Sequence, residues 1–179
     1  MDLNKKCVWI GIGVKIHKEA KLCYECREMS QFLYEKYENL IMFSKTNEPH
    51  LNIHDLDVPK DNLNLIADKI RTIISNQTVF EVKIKQINYF TFGVFFIELE
   101  NNENLQRLHK DIVKSVSLLK EKCVCEDYLK PKRIYTLEQK AMLKQYGNPH
   151  VIKQFKPHIT SGLTKKKNID SIKKELALR

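Results

Sequence analysis

The chain has 179 residues, of which 42% are hydrophobic and 30% are charged, an ordinary globular balance. No apolar run approaches the roughly 20 residues of a membrane span, so we expect no membrane association. The 31 Lys and Arg residues exceed the 22 Asp and Glu residues and give a net charge of +9. Such a surplus favours phosphate-bearing partners, although it is also what results when lysines simply cover the solvated surface.

The N-terminal sequence has neither a long apolar stretch nor a small-residue cleavage site, so it does not resemble a secretory signal. Five cysteines, an odd number, fit a reduced cytosol better than a disulfide framework. We therefore expect a cytoplasmic protein. No flexible linker divides the chain, and we expect a monomer with a single domain over residues 1–179.

In the first half of the chain, strands and helices alternate. The hydrophobic pattern predicts a buried strand at 7–16, a helix at 19–38, a second strand at 49–58 and a helix at 60–75 with Asp61 as its N-cap.

A hairpin is predicted next. Residues 79–87 alternate between apolar and charged side chains, as a half-buried strand does, and residues 90–99 are apolar on both faces, as in an interior strand. The short connection between them favours a hairpin, and a helix follows to about residue 121.

The last third begins with an irregular basic stretch at 123–135. A short helix closed by Gly147, a strand at 154–163 and a helix from about 168 complete the chain. Hairpins mixed with helices predict an α+β fold with mainly antiparallel sheet.

The dipeptide Pro-His occurs three times, at 49–50, 149–150 and 157–158. Two of these pairs are followed by an apolar residue and then by a short polar one, Asn52 or Thr160. The third lies in a predicted turn, and we interpret its histidine as a loop residue.

Residues i and i+2 of a strand point to the same side. His50 therefore shares a face with Asn52, and His158 shares one with Thr160. Two such strands side by side would present two imidazoles to one cleft. A neutral imidazole can take a proton from an attacking oxygen while a protonated one gives a proton to the leaving oxygen. The short polar groups could donate to the phosphate, so the pattern suits phosphodiester cleavage; the alternative is that each histidine is a strand-edge residue bonded to backbone.

Both histidine segments resemble motifs of the two-histidine phosphoesterase superfamily, and within it those of the 2′-5′ RNA ligase-like proteins. The segment "HLNIHDLDVP", with the helix predicted after it, is similar to the family's first motif, and "FKPHITSG" is similar to its second. Residues 79–116 resemble the hairpin and helix in the middle of the family's sequences. The resemblance implies two pseudo-symmetric lobes of mainly antiparallel sheet with outer helices, which flank a central cleft.

The resemblance also implies an enzyme, a metal-independent phosphodiesterase or cyclic phosphodiesterase. Its substrates would be RNA ends or small oligonucleotides with a 2′,3′-cyclic phosphate or a 2′,5′ linkage. His50 and His158 would be the catalytic pair, and Asn52 and Thr160 would bind the substrate phosphate. No cofactor and no metal site are expected.

Two positions depart from the family pattern. Asn52 replaces the usual Thr or Ser, although its amide can still donate a hydrogen bond. Leu163 stands near the place where many members carry Arg or Lys, and the nearest cations begin at Lys165, which we consider a possible cleft residue.

Two further side chains are candidates for the cleft. His54 lies on the same strand face as His50, although a surface position is the better prediction. Phe90 and Phe92 flank the hairpin, where an aromatic of some relatives approaches the nucleobase; we favour core packing for both and keep Phe92 as a possible cleft residue.

Other functions fit parts of the sequence. The cysteines at 23–26 and 123–125 could supply zinc thiolates to an interaction module, but their helical setting and the Cys-x-Cys spacing favour ordinary thiols. A non-catalytic RNA- or nucleotide-binding protein that retains the fold is the main alternative to the enzyme, and Asn52 favours it.

Overall fold

The computed structural model describes residues 6–38, 43, 48–130 and 133–176. The first five residues, on which the expectation of no secretory signal partly depends, lie outside this range. The strands are Cys7–Lys15 (β1), His50–Pro59 (β2), Ile84–Tyr89 (β3), Val94–Leu99 (β4) and His158–Leu163 (β5). The α-helices are Lys21–Tyr37 (α1), Leu63–Ser75 (α2), Glu103–Ser117 (α3), Glu126–Leu129 (α4), Leu137–Tyr146 (α5) and Ile169–Leu176 (α6).

The five strands form one sheet in the order β1-β2-β5-β4-β3. The β2–β5, β5–β4 and β4–β3 pairs are antiparallel, so the predicted α+β class with antiparallel sheet is confirmed. The last strand in the sequence lies in the middle of the sheet, and β4 has a neighbour on each side, as its apolar faces predicted.

The predicted strand at 79–87 is wrong in its first half. β3 begins only at Ile84, because Ile84 pairs with Leu99, the last residue of β4. The carbonyl of Lys83 still accepts from the N–H of Glu100 at 2.8 Å, but residues 79–82 lie outside the described ladder and Val79 is fully exposed. The apolar–polar alternation is real, but alternation makes a strand only where a partner strand is available.

The predicted start of the second helix is also wrong. A 3₁₀ turn at Lys60–Asn62 precedes α2, and Asn62 rather than Asp61 occupies its N-cap position. The side-chain amide of Asn62 donates to the carbonyl of Leu119 at 2.8 Å instead of capping the helix. By contrast, the predicted end of α5 at Gly147 is confirmed, and Gly147 has the left-handed φ of 78° that favours glycine.

The chain forms two compact units. The first comprises Met1–Ile12, Ile53–Val82 and Asn101–Lys156, and the second comprises Gly13–Asn52, Lys83–Glu100 and Pro157–Arg179. The single bilobal domain expected over 1–179 stays a prediction.

In the second unit, helix α1 packs against β5. The helix places one apolar face in the core, and the strands contribute every second residue to it. The buried side chains of this core include Cys26, Met29, Leu33, Leu51, Phe95, Ile97, Ile159 and Ile172.

In the first unit, helices α2 and α3 pack together. Their core includes the buried residues Leu56, Val58, Ile66, Leu105, Ile112, Val113, Val116 and Val151. Asn148 ties the turn after α5 to β2, because its amide donates to the carbonyl of Asp55 at 3.1 Å. His150 lies in this turn, so the prediction that the third Pro-His pair belongs to a loop is confirmed.

Two buried histidines belong to the first unit. Nε2 of His109 accepts from the backbone N–H of Ile152 at 2.8 Å, and Nδ1 therefore donates to the carbonyl of Ile53 at 2.9 Å. Nε2 of His54 lies 3.4 Å from the Ser117 hydroxyl, while no described residue gives its Nδ1 a hydrogen-bond partner. Burial lowers the pKa of His54 to about 3 and that of His109 to about 4.

The cysteines differ from expectation in one respect. Cys7 and Cys123 form a disulfide, which corrects the prediction that all five are reduced. The two residues are 116 positions apart, so their proximity is a property of the fold that the spacing does not encode. Cys23 and Cys26 are buried thiols, and burial is the main cause that raises the pKa of Cys26 to about 12. The bridge removes one of the two grounds for a cytoplasmic location, which stays a prediction.

None of the helices in the described part of the chain combines the length and the apolar character that crossing a membrane requires.

The buried histidines predict a specific pH dependence of stability. Both have folded pKa values below the ordinary 6.5, so between pH 6.5 and about 4 the unfolded chain binds more protons than the folded chain. The free energy of unfolding therefore decreases as the pH is lowered through this range. Each should contribute a loss of about 2 kcal/mol between pH 7.5 and pH 5. Denaturant unfolding at both pH values measures it, and His54→Leu should remove about half of the histidine contribution. An unchanged pH dependence in His54→Leu would show that His54 titrates as a surface residue does.

Candidate functional site

Four polar residues lie together on one face of the sheet at the junction of β2 and β5. Leu51 of β2 pairs with Ile159 of β5 in antiparallel register. In such a ladder the flanking residues are cross-strand neighbours, which places His50 beside Thr160 and Asn52 beside His158. The two motifs therefore form a block of two imidazoles, an amide and a hydroxyl on one side of the sheet.

The opposite face of the same segment is core. Leu51 and Ile159 are buried, and Ile97 of β4 pairs with Ile159 in the same row. Because alternate residues of a strand point to opposite sides, burial of this row leaves His50 and His158 on the other face. The hydrophobic pattern that builds the core thus also orients the histidines.

His50 is exposed, and its ring is held by backbone. Its Nδ1 lies 2.9 Å from the carbonyl oxygen of Glu48. A carbonyl oxygen only accepts, so Nδ1 is the donor of this bond and Nε2 is the nitrogen that can accept a proton.

His158 is half-buried among aromatic rings. The ring of Phe96 lies 4.9 Å away between centroids, and the edge of Phe90 meets the imidazole at 5.5 Å with an interplanar angle of 84°. Phe92 in turn stacks on Phe90 at 5.3 Å and 7°. The three phenylalanines and the imidazole form a continuous aromatic cluster, which we call the aromatic wall.

Phe92, the outer member of the aromatic wall, is 65% exposed, which corrects the preference for core packing at this position. The turn that carries it depends on Gly93, whose φ is 103° and whose Cβ, if one were present, would lie 2.1 Å from the carbonyl oxygen of Thr164. The glycine therefore allows the close approach that holds the ring pair Phe90–Phe92 beside His158.

Glu98 of β4 is a residue of this face that the sequence analysis missed. It pairs with His158 across the β4–β5 ladder. Its carboxylate accepts hydrogen bonds from Gln86, Lys85 and Asn88 of β3 at 2.8, 2.8 and 2.9 Å. These bonds lower the pKa of Glu98 to about 2, so it stays ionised wherever imidazoles titrate. A β-bulge at Lys85 lets adjacent residues reach the same carboxylate, which no sequence pattern marks.

Two other sequence candidates are not part of the block. His54 is only 2% exposed, within the core of the first unit, which corrects both the surface and the cleft interpretations. Lys165 forms an ion pair with Glu38 at the C-terminal end of α1, the helix that packs on β5. Its ammonium is thus already held by a carboxylate.

A cavity of about 380 Å³ lies elsewhere in the second unit. It is lined by Ile87, Asn88, Tyr89, Phe95, Lys173 and Leu176. The Tyr89–Phe95 pair adjoins the Asn88–Phe96 pair in the β3–β4 ladder, so these two rings point to the face opposite Phe96. This cavity is therefore distinct from the histidine block.

The described residues contain no group of three or more His, Cys, Asp or Glu side chains arranged to hold a metal ion. The four-thiolate alternative is also incompatible with the fold, because Cys123 is bonded to Cys7 while Cys23 and Cys26 are buried in α1.

Comparison with known proteins agrees with this geometry. No curated protein matches the chain significantly. The family model described as the 2′-5′ RNA ligase superfamily matches residues 35–179, which include both histidine motifs, the β3–β4 hairpin and β5. That match spans most of the chain, and the protein belongs to the 2′-5′ RNA ligase superfamily.

Proposed function

We propose that the protein is a phosphodiesterase that uses His50 and His158 as an acid–base pair without a metal ion. Its proposed substrates are RNA ends or small oligonucleotides with a 2′,3′-cyclic phosphate or a 2′,5′ linkage. The observation that carries the proposal is the antiparallel register of Leu51 with Ile159, which sets both motifs side by side on one sheet face.

The chemistry follows from the four side chains. One neutral imidazole removes a proton from the attacking oxygen, and the other, protonated, gives a proton to the oxygen that leaves the phosphorus. The Asn52 amide and the Thr160 hydroxyl donate to the non-bridging oxygens, where negative charge accumulates in the transition state. Each proton taken up by one imidazole is matched by a proton released from the other.

The aromatic wall supports a nucleotide substrate. An exposed ring such as Phe92 offers a face on which a base can stack, and stacking is tolerant of base identity. The net charge of +9 favours polyanions in the same way. We expect the protein to act as a monomer.

The first prediction concerns the histidine pair. His50→Ala and His158→Ala should each lose about 10²–10⁴-fold in single-turnover rate. The double variant should be little worse than the worse single variant, because groups that act as a unit are non-additive. His150→Ala, which removes the loop histidine of the third Pro-His pair, is the matched control and should keep full activity.

These rates should be measured on a nucleoside 2′,3′-cyclic phosphate, a 2′,5′-linked dinucleotide and its 3′,5′-linked isomer, with EDTA present. Full activity of either single variant contradicts the assignment. Activity that disappears in EDTA and returns with a divalent metal contradicts the metal-independent mechanism. Folded protein that binds these nucleotides and hydrolyses none of them supports the non-catalytic binding function instead.

The second prediction concerns Asn52. Asn52→Thr keeps a hydrogen-bond donor and should retain most of the activity, whereas Asn52→Leu should raise the barrier by about 2.7–4 kcal/mol through loss of one transition-state donor. Comparing kcat/KM of the two variants measures the effect of the hydrogen-bond donor at one position. Equal values for Asn52→Leu and the unmodified protein would place Asn52 outside the site.

The third prediction concerns Phe92. Phe92→Ala should raise KM for a dinucleotide by roughly 5- to 150-fold, as loss of about 1–3 kcal/mol of base stacking requires, and Phe92→Trp should restore binding. The control is Leu118→Ala, which truncates another exposed apolar side chain, at the C-cap position of α3. If both alanine variants leave KM unchanged, the aromatic wall does not bind a base.

A further inference from the structure

The imidazole of His50 has a defined orientation because its partner is a main-chain atom. The bond from Nδ1 to the Glu48 carbonyl, at 2.9 Å, requires the hydrogen to be on Nδ1. A neutral His50 in this state presents an unprotonated Nε2. In this tautomer the ring can accept a proton at Nε2, the nitrogen that faces away from the Glu48 backbone.

The segment that supplies this carbonyl is tied to β1 at two points. The backbone N–H of Ile16 donates to the carbonyl of Pro49 at 3.1 Å, and the ammonium of Lys15 forms an ion pair with the carboxylate of Glu48. The ion pair is largely exposed, so its contribution is geometric more than energetic. Together the two contacts fix the position of the carbonyl that orients His50.

Gly13 of β1 provides the space that the ring occupies. A Cβ at this position would lie 3.2 Å from Cδ2 of His50 and 3.0 Å from the carbonyl oxygen of Leu51, both closer than ordinary contact. Leu51 is held in the β2–β5 ladder, whereas the imidazole can rotate. A methyl group at position 13 would therefore displace the ring and strain its bond to Glu48.

We propose that residues 13–16 are a positioning element that holds His50 in the Nδ1–H tautomer and so makes it the general base of the pair. This assignment rests on the proposed function, and it leaves His158 as the general acid. Gly13 supplies clearance, while Lys15 and Ile16 hold the segment whose carbonyl receives the Nδ1 hydrogen.

The test is long-range ¹H–¹⁵N NMR of ¹⁵N-histidine-labelled protein, with the His50 signals assigned by comparison with His50→Gln. In the unmodified protein above the titration range, Nδ1 of His50 should be protonated and Nε2 should not. Gly13→Ala should shift His50 toward a mixture of tautomers and lower kcat by about 10- to 100-fold with KM little changed, as a small misplacement of a catalytic group does.

Gly11→Ala is the matched control, two residues away on the same strand. A Cβ at position 11 would meet the Asp55 carboxylate at 3.1 Å and the Trp9 ring at 3.3 Å, and side-chain ends such as these can move. Its His50 spectrum and kcat should equal those of the unmodified protein.

An Nε2–H tautomer of His50 in the unmodified protein would overturn the inference, as would a Gly13→Ala variant with unchanged spectrum and kcat. If Gly13→Ala does not fold, Lys15→Met decides the question, because it removes the ion pair with Glu48 without adding a group beside the His50 ring. A shift of the His50 tautomer in this variant supports the inference, and an unchanged tautomer overturns it. The NMR readout needs no turnover, so failure of the proposed hydrolysis and failure of this inference are separate results.

Discussion

The pairing of Leu51 with Ile159 is the contact on which the candidate site depends. Both side chains are buried, and burying each is worth about 1.5–3 kcal/mol, so a slip of β2 by one residue would expose apolar surface and turn polar residues into the core. The register is therefore enforced from the core side of the sheet. His50 and His158 take their places on the other side without any direct contact between them being required.

The two histidine motifs are alike in sequence but differ in environment. His50 is exposed and bonded to a backbone carbonyl, whereas His158 is half-buried beside Phe90 and Phe96. An acid–base pair needs one group that accepts a proton and one that donates it, and different surroundings are how proteins separate such roles. The asymmetry comes from the segments around each motif, β1 on one side and the β3–β4 turn on the other.

How far the sequence predicts this site depends on the range of each interaction. Alternation is a local property, so it correctly placed Leu51 and Ile159 in the core and each histidine on the opposite face. The same alternation puts His54 on the face of His50, but the exposure expected there was wrong, because Ser117 at the end of helix α3 lies against His54 and the side chain is buried. Exposure of Phe92 was missed for a similar reason, since it depends on a turn held by a contact distant in sequence.

Glu98 illustrates how the sheet completes the site beyond the two motifs. Its carboxylate lies in the strand next to His158 and remains ionised through the pH range in which histidines titrate. Its hydrogen bonds are directed to β3, and the ion pair with Lys85 at 2.8 Å balances its charge locally. The carboxylate is therefore a compensated charge rather than a free base.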